Sequence, residues 1–409
     1  MLIESVRAHA LSSPIEPIQE RRFAGGVRRL LKRDLVLVIV ETADGTRGVA
    51  PSGASSSAMR EYFDGDSHGT FGDVINGEIA ELFEGREIQQ IPEAIALIHN
   101  SSLPDHLATQ AAAAMDVALY DIKGREMGAP IYELLRAEDD PTPTTELRLY
   151  ASAGMYMEPA GYVQQATTLA AEGFFGYKYR PGIGVESDEE ILEALHEVPI
   201  EPMIDAHTWW KIENAGYDFQ AIKSLIDHAA ENEAYWVEEP VEPTDYSGYQ
   251  ELANRGVPLA GGESEHDSAG LCALAETEAV SFLQGDVRHH GGFTGCWTAV
   301  EYCRDRPITY VPHHFGSWLG LIANAHLVAA APEATVLEYP IFSNDPTIDG
   351  KPDPGMYPFE LAFDVLAKEP QISDGTLQVP TGPGLGVEID ESVIDRYPFQ
   401  EGPWTEFLS

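Results

Sequence analysis

Three acidic residues close three short apolar segments at nearly regular intervals: Asp205 in EPMIDAH, Glu238 in AYWVEEP and Glu263 in VPLAGGE, 33 and 25 residues apart. A strand, a return helix and two loops take roughly 25 to 35 residues in a βα unit. The spacing therefore places one carboxylate at the same end of three successive parallel strands of a barrel. Such strands are buried on both sides, and an ionisable group at their ends is costly unless it faces a site or a counter-ion. A hard cation such as Mg²⁺, which takes oxygen ligands and keeps waters for a substrate to displace, is the natural counter-ion. Solvated surface acids are the alternative in so acidic a chain, but the periodic placement of all three favours one shared site.

The surrounding pattern agrees. From about Leu147, strand candidates recur in LRLYASA, FFGYKYR, EPMIDA, YWVEEP, PLAGGE, SFLQGD, ITYVPHH and VLEYP, with mostly helical spacers. Eight strands with intervening helices predict a (β/α) barrel. Before it, a strand near residues 2 to 9, a polar loop, the hairpin-like DLVLVIVETADGTRGVAPSG and helical patterns from Phe71 to Leu135 read as a separate α+β region. After Phe359 the alternation stops, and the Gly/Pro-rich tail is expected to pack back on that first region.

Charge narrows the partners. With 67 acidic against 25 basic residues the formal net charge is −42, which disfavours nucleic acid and anionic membranes. Only seven of the cations are Lys, and this acid excess predicts a chain kept soluble in a salt-loaded cytoplasm, because self-repulsion of this size needs screening. Disorder is disfavoured by 44% hydrophobic residues in regular βα patterning. Cys272, Cys296 and Cys303 lack metal-site spacing and suit a reducing compartment. Neither a signal-peptide pattern nor a membrane-length apolar run is present, so a cytoplasmic location is expected. Six cations, Arg21, Arg22, Arg28, Arg29, Lys32 and Arg33, crowd into the early polar loop. They read either as a lid that draws an anionic substrate, Arg22 included, to the barrel mouth or as local pairs with surrounding acids.

Nine motifs in order now carry a resemblance to the enolase superfamily, within it to the mandelate racemase and muconate lactonizing enzyme group: ALYDIKGREMGAPIYELL, YKYR, MIDAH, WVEEP, GGES, GDVRHHGG, VPHHFGS, VLEYP and TGPGLGVEID. The resemblance spans nearly the whole chain. It implies a modified TIM (β/α)7β barrel at 136–360, an α+β capping domain at 1–135, and a C-terminal segment at 361–409 that completes the cap. It also implies a homo-oligomer and Mg²⁺ held by Asp205, Glu238 and Glu263, with Glu239 in a supporting place. His313 matches the group's general base and Asp286 its partner, with His314 the rival base. An Asp that accepts one imidazole N–H sets the tautomer and raises the basicity of the other nitrogen.

Lys178 and Arg180 lie two apart on a strand and so face one side. The group commonly has Lys-x-Lys here, the second Lys being a base on the opposite face of the substrate. A guanidinium in its place does not lose its proton, so both are assigned to orienting substrate and stabilising enolate charge. Glu338 matches an acid that hydrogen-bonds the enolate. His207, two residues beyond Asp205, is expected in the same mouth against a substrate hydroxyl, and Trp209 and Trp210 as pocket walls or core.

One strong base opposite a cationic face predicts dehydration of an acid sugar, with His313 acting as base and then as acid. Opening of a sugar lactone or anhydro-sugar acid by a cycloisomerase is the alternative, and epimerisation ranks third. A metal-dependent hydrolase and a catalytically silent binding protein are the readings of a different class.

Overall fold

In the computed structural model the described residues are 1–52, 69–137, 140–207, 216–331, 336–348 and 357–408. The N-terminal region is built on a long antiparallel hairpin of β1 (Ile3–Phe23) and β2 (Gly26–Thr42), to which β3 (Arg47–Ser52) adds on β2. The segment expected to be a polar loop is thus two strands that extend to a tip at Ala24 and Gly25. The second half of β1 and the first half of β2 satisfy their polar backbone groups by pairing with each other, so local polarity did not make them irregular. Helical pieces follow from Phe71 to Phe83, then α1 (Ile91–His99) and α2 (Asp105–Met127). Gly128, at φ 67°, ends α2 in the left-handed conformation that glycine adopts without penalty.

The barrel begins with β4 (Glu146–Met155). It continues through β5 (Gly176–Arg180), β6 (Glu201–Asp205), β7 (Trp236–Glu238), β8 (Leu259–Gly261), β9 (Phe282–Leu283) and β10 (Thr309–Tyr310), all parallel in chain order. The eighth strand, β11 (Val336–Pro340), returns to pair in parallel with β4. A helix follows each of the first seven, giving the (β/α)7β order. The helix at Phe219–Glu231 shows why they lie outside: Ile222, Leu225, Ile226 and Ala229 bury one face at helical spacing, and Asp218 caps the free amides of Gln220 and Ala221. The spacer between Gly262 and Ser281 is likewise one helix, Ser268–Glu276.

Inside the barrel, Tyr150, Met203, Trp236, Ala260, Val311 and Val336 form a buried apolar layer of their own. Residues two apart on a strand share a face. Met203, Trp236 and Val336 therefore set Asp205, Glu238 and Glu338 directly above this floor, at the C-terminal mouth where barrel enzymes carry their sites.

The C-terminal segment does two things. Its first part forms a small hairpin, β12 (Ile372–Ser373) and β13 (Thr376–Gln378), and β13 pairs antiparallel with barrel strand β4. Its end, β14 (Thr405–Leu408), pairs antiparallel with β2 opposite Val27 to Leu30. Buried Asp121 on α2 ties these parts together, accepting the backbone N–H of Val49 at 3.0 Å and of Leu385 at 2.8 Å, and Arg125 Nε at 3.1 Å. The tail thus pairs first with barrel strand β4 and then with β2. Among the described residues no helix is long and apolar enough to cross a membrane.

Candidate active site

Strand register brings the acidic residues together. Asp205 and Glu238 are direct partners between β6 and β7. Glu263 follows β8 after Gly262, whose φ of 125° suits glycine and turns the chain at the mouth. Two further residues there, His207 at φ 38° and Glu239 at φ 41°, hold positive φ without being glycine, the kind of strain that concentrates at functional sites.

Each carboxylate meets cations. Lys178 Nζ, 2% exposed, lies 2.8 Å from Glu238 Oε1 and 2.8 Å from Glu338 Oε1, bridging opposite sides of the barrel. Burial alone would favour its neutral amine, but Glu238 and Glu338 outweigh it and hold the ammonium well above the usual lysine range. Arg180 Nη2 donates to Asp205 Oδ2 at 2.5 Å, and His207 Nδ1 meets Asp205 Oδ1. Burial raises the Asp205 carboxyl, yet Arg180 and His207 together pull it below the ordinary range. Glu238 goes the other way: burial, with Asp205, Glu263 and Glu338 adding to it against Lys178, pushes it up to about 8.

His313 and Asp286, paired in the reading of the sequence, lie side by side. His313 Nδ1 is 3.2 Å from Asp286 Oδ2, and its Nε2 is 3.2 Å from Glu263 Oε2. Burial lowers this imidazole, but Glu263, Glu338 and Asp286 more than reverse that and raise it to about 9. Asp286 is fully buried and anchored by Arg288, whose Nη2 lies at 2.5 Å, and by Asn324 Nδ2 at 3.1 Å. The rival His314 turns elsewhere, its Nε2 3.1 Å from the Ser317 carbonyl. Burial and Arg288 hold it well below the ordinary histidine range, and its contribution to the site is its backbone N–H, donated to Glu338 Oε2 at 2.8 Å.

These groups border a cavity of about 260 Å³ whose walls include Lys178, Arg180, Asp205, Glu263, His313 and Glu338. Arg28 and Arg33 of β2, Arg288, His289, Phe315 and Trp404 complete it. The capping hairpin therefore roofs the mouth. Of its cationic cluster, Arg29 pairs with Glu20 and Glu406, and Lys32 with Asp34, while Arg28 and Arg33 reach the cavity. Arg22 does not: it is exposed near the hairpin tip and borders a separate concavity with Tyr156 and Glu158. Arg28 and Arg33, rather than Arg22, are therefore the cations of this hairpin that border the cavity.

His207, expected against substrate, is 3% exposed and sits among carboxylates instead, its Nε2 3.1 Å from both Glu239 Oε2 and Glu263 Oε1. His207, Glu239 and Glu263 are the described group whose potential ligand atoms all lie within 4.8 Å of one another. Glu239 is further held by Ser264, through N at 3.0 Å and Oγ at 2.7 Å. Trp209 and Trp210 lie outside the described residues. Sequence reasoning missed Arg288 and His289 in the wall, although Arg288 stands two residues after Asp286 in GDVRHHGG. Arg33 and Trp404 carried no such signal, being joined only by the fold.

Clustered carboxylates, a buried bridging lysine and a His–Asp pair at a barrel mouth under a separate cap make this the candidate active site of an enzyme. The family comparison gives the same answer: residues 15–136 match the N-terminal domain of the mandelate racemase / muconate lactonizing enzymes, and 161–393 the enolase C-terminal domain-like model. This chain belongs to the enolase superfamily, in its mandelate racemase / muconate lactonizing enzyme group. Relatives include the D-galactarolactone cycloisomerase of Agrobacterium fabrum, 29% identical over 97% of this chain and 99% of that one. The arabinonate dehydratase of Saccharolobus solfataricus is 25% identical with the same coverage. A mandelate racemase/muconate lactonizing enzyme from a marine actinobacterium, solved in complex with magnesium, shares the fold at TM-score 0.76 and 21% identity, over 98% of this chain and 99% of that one.

Proposed function

We propose that this chain catalyses Mg²⁺-dependent removal of the proton α to a carboxylate, followed by β-elimination of water from an acid sugar. The observation that carries it is the asymmetry of the cavity: His313, braced by Asp286, stands as the base, while the paired cations Lys178 and Arg180 contribute no second one. Asp205, Glu238 and Glu263 fit the metal. They are hard oxygen donors on adjacent strand ends, and each carboxylate oxygen has more than one lone-pair direction, so hydrogen bonds to Arg180 and Lys178 leave acceptor capacity. When bound, Mg²⁺ supplies Lewis-acid stabilisation of the carboxylate charge that grows as the proton leaves.

The protein's own groups do the rest. With Nδ1–H donated to Asp286, His313 presents a basic Nε2 that takes the Cα proton. The electron pair left at Cα forms the C=C bond as the Cβ–O bond breaks, and the same imidazolium returns its proton to the departing hydroxyl if the elimination is syn. The resulting enol tautomerises to a 2-keto-3-deoxy acid. Lys178 and Arg180 hold the substrate's negative oxygens, and Glu338, in contact with Lys178, orients that ammonium. The relative from Agrobacterium fabrum favours a second reading, ring opening of a sugar lactone by the same first step. Incubating His313→Asn and the parent enzyme with aldonates, aldarates and their lactones in D₂O, Mg²⁺ and KCl tests both. The parent is expected to release 2-keto acid and the variant to lose Cα–H exchange. Release of 2-keto acid from lactones but not from the open-chain acids selects cycloisomerisation, in which the ring oxygen is the leaving group, and an exchanging variant removes His313 as the base.

A further inference from the structure

Arg33 is placed oddly for a cation in a chain of net charge −42. It lies on β2 at the cavity wall, its guanidinium 4.9 Å from the ring centre of Trp404, 5.5 Å from Phe315, 5.7 Å from Phe359 and 5.9 Å from Tyr357. Its one hydrogen bond among the described residues is Nη2 to the Phe315 carbonyl at 3.3 Å, and its buried Nε has no partner there. The neighbouring Arg29 and Lys32 are paired with Glu20, Glu406 or Asp34, and Asp34, also on the cavity wall, is taken by Lys32 at 3.0 Å and Ser12 Oγ at 2.7 Å. Arg28 stands beside Arg33 on the same wall, over the faces of Trp404 and Phe407. Burial, with Arg180 and Arg33 acting in the same direction, lowers the Arg28 guanidinium to about 10. Aromatic faces favour a guanidinium by about 0.5–2 kcal/mol each. They leave its N–H fork without the planar oxygen pair it is shaped to bind.

We propose that this wall binds a second anionic group of the substrate, so that the preferred substrates are dicarboxylic acid sugars or their lactones rather than monocarboxylic ones. One carboxylate lies at the Asp205, Glu238 and Glu263 end. The other meets Arg33, with Arg28 adding charge, beneath the hairpin and Trp404. The inference rests on the proposed enolate chemistry for its first carboxylate only.

The test compares six-carbon aldarates with aldonates of matching stereochemistry on the full-length protein with Mg²⁺ and KCl. Binding is followed by calorimetry and turnover by 2-keto acid release, for the parent enzyme, Arg33→Gln and Arg33→Lys. The parent should bind aldarates at least tenfold more tightly. The aldarate-to-aldonate ratio of kcat/KM should fall roughly 30-fold or more in Arg33→Gln, the scale of losing one partner of a buried charge pair. Arg33→Lys should recover part of it. Equal affinity for both acids in the parent, or an unchanged ratio in Arg33→Gln, overturns the proposal. If Arg33→Gln does not fold, the parent's own preference decides. Aldarate binding that depends on Arg33 without elimination of any acid sugar refutes dehydration and leaves the second-anion site standing.

Discussion

Asp286→Asn changes one atom in a fully buried carboxylate and separates what that group does for chemistry from what it does for folding. Oδ1 accepts the Arg288 backbone N–H at 2.9 Å and Asn324 Nδ2 at 3.1 Å. Oδ2 accepts Arg288 Nε at 3.0 Å and faces His313 Nδ1 at 3.2 Å. Every neighbour is a donor, so an amide NH₂ opposes one whichever way it turns. Turned toward His313, it makes Nδ1 the acceptor and moves the ring proton to Nε2, the nitrogen that must be free. Loss of a positioned base costs about 10²–10⁴ in rate, and roughly 10³ corresponds to about 4 kcal/mol of barrier. Arg288, 6% exposed, also loses its carboxylate, and breaking such a buried pair costs about 3–5 kcal/mol of stability. Cα–H exchange by NMR in D₂O and thermal unfolding should therefore both fall. Adding Arg288→Met should restore much of the unfolding midpoint, since the orphaned charge is gone, but not the exchange. Exchange within tenfold of the parent in Asp286→Asn, or full recovery in the double variant, would refute the proposed tautomer control.

Two further outcomes follow from the charges. His313 has a folded-state pKa raised to about 9, with Glu263 and Glu338 outweighing its burial. Its contribution to stability is therefore complete below the unfolded value near 6.5 and is lost as pH rises through about 9. In chelator-treated protein the thermal midpoint of the parent over His313→Asn should narrow across that window, and a constant or widening gap would contradict it. The net charge of −42 sets the second: screening length falls from about 10 Å at 0.1 M salt to about 3 Å at 1 M. The unfolding temperature should climb from dilute buffer to molar KCl, and a flat profile would remove the high-salt reading.

The barrel was legible because its signals are short in range. Strands covered on both sides read as apolar runs, and two-residue spacing sets Met203 below Asp205, Trp236 below Glu238 and Lys178 beside Arg180 on one face. The same locality explains why sequence did not tell which of the hairpin cations border the cavity. A charged stretch reads as loop, and nothing near it tells that β1 and β2 continue as a hairpin whose cations are sorted by distant partners. Arg29 meets Glu406, Lys32 meets Asp34, and Arg33 enters a cage of Phe315, Tyr357, Phe359 and Trp404. By itself, then, the sequence determined the strand order and the acidic strand ends, because each is a matter of period and chemical type. Tertiary structure alone decided that Lys178 bridges Glu238 and Glu338, that His207 sits among carboxylates, and that the cap turns Arg33 to the cavity. Those pairings join residues far apart in the chain, and the free energy that selects them, burial of charge against its compensation, exists only once the barrel and its cap have closed on one another.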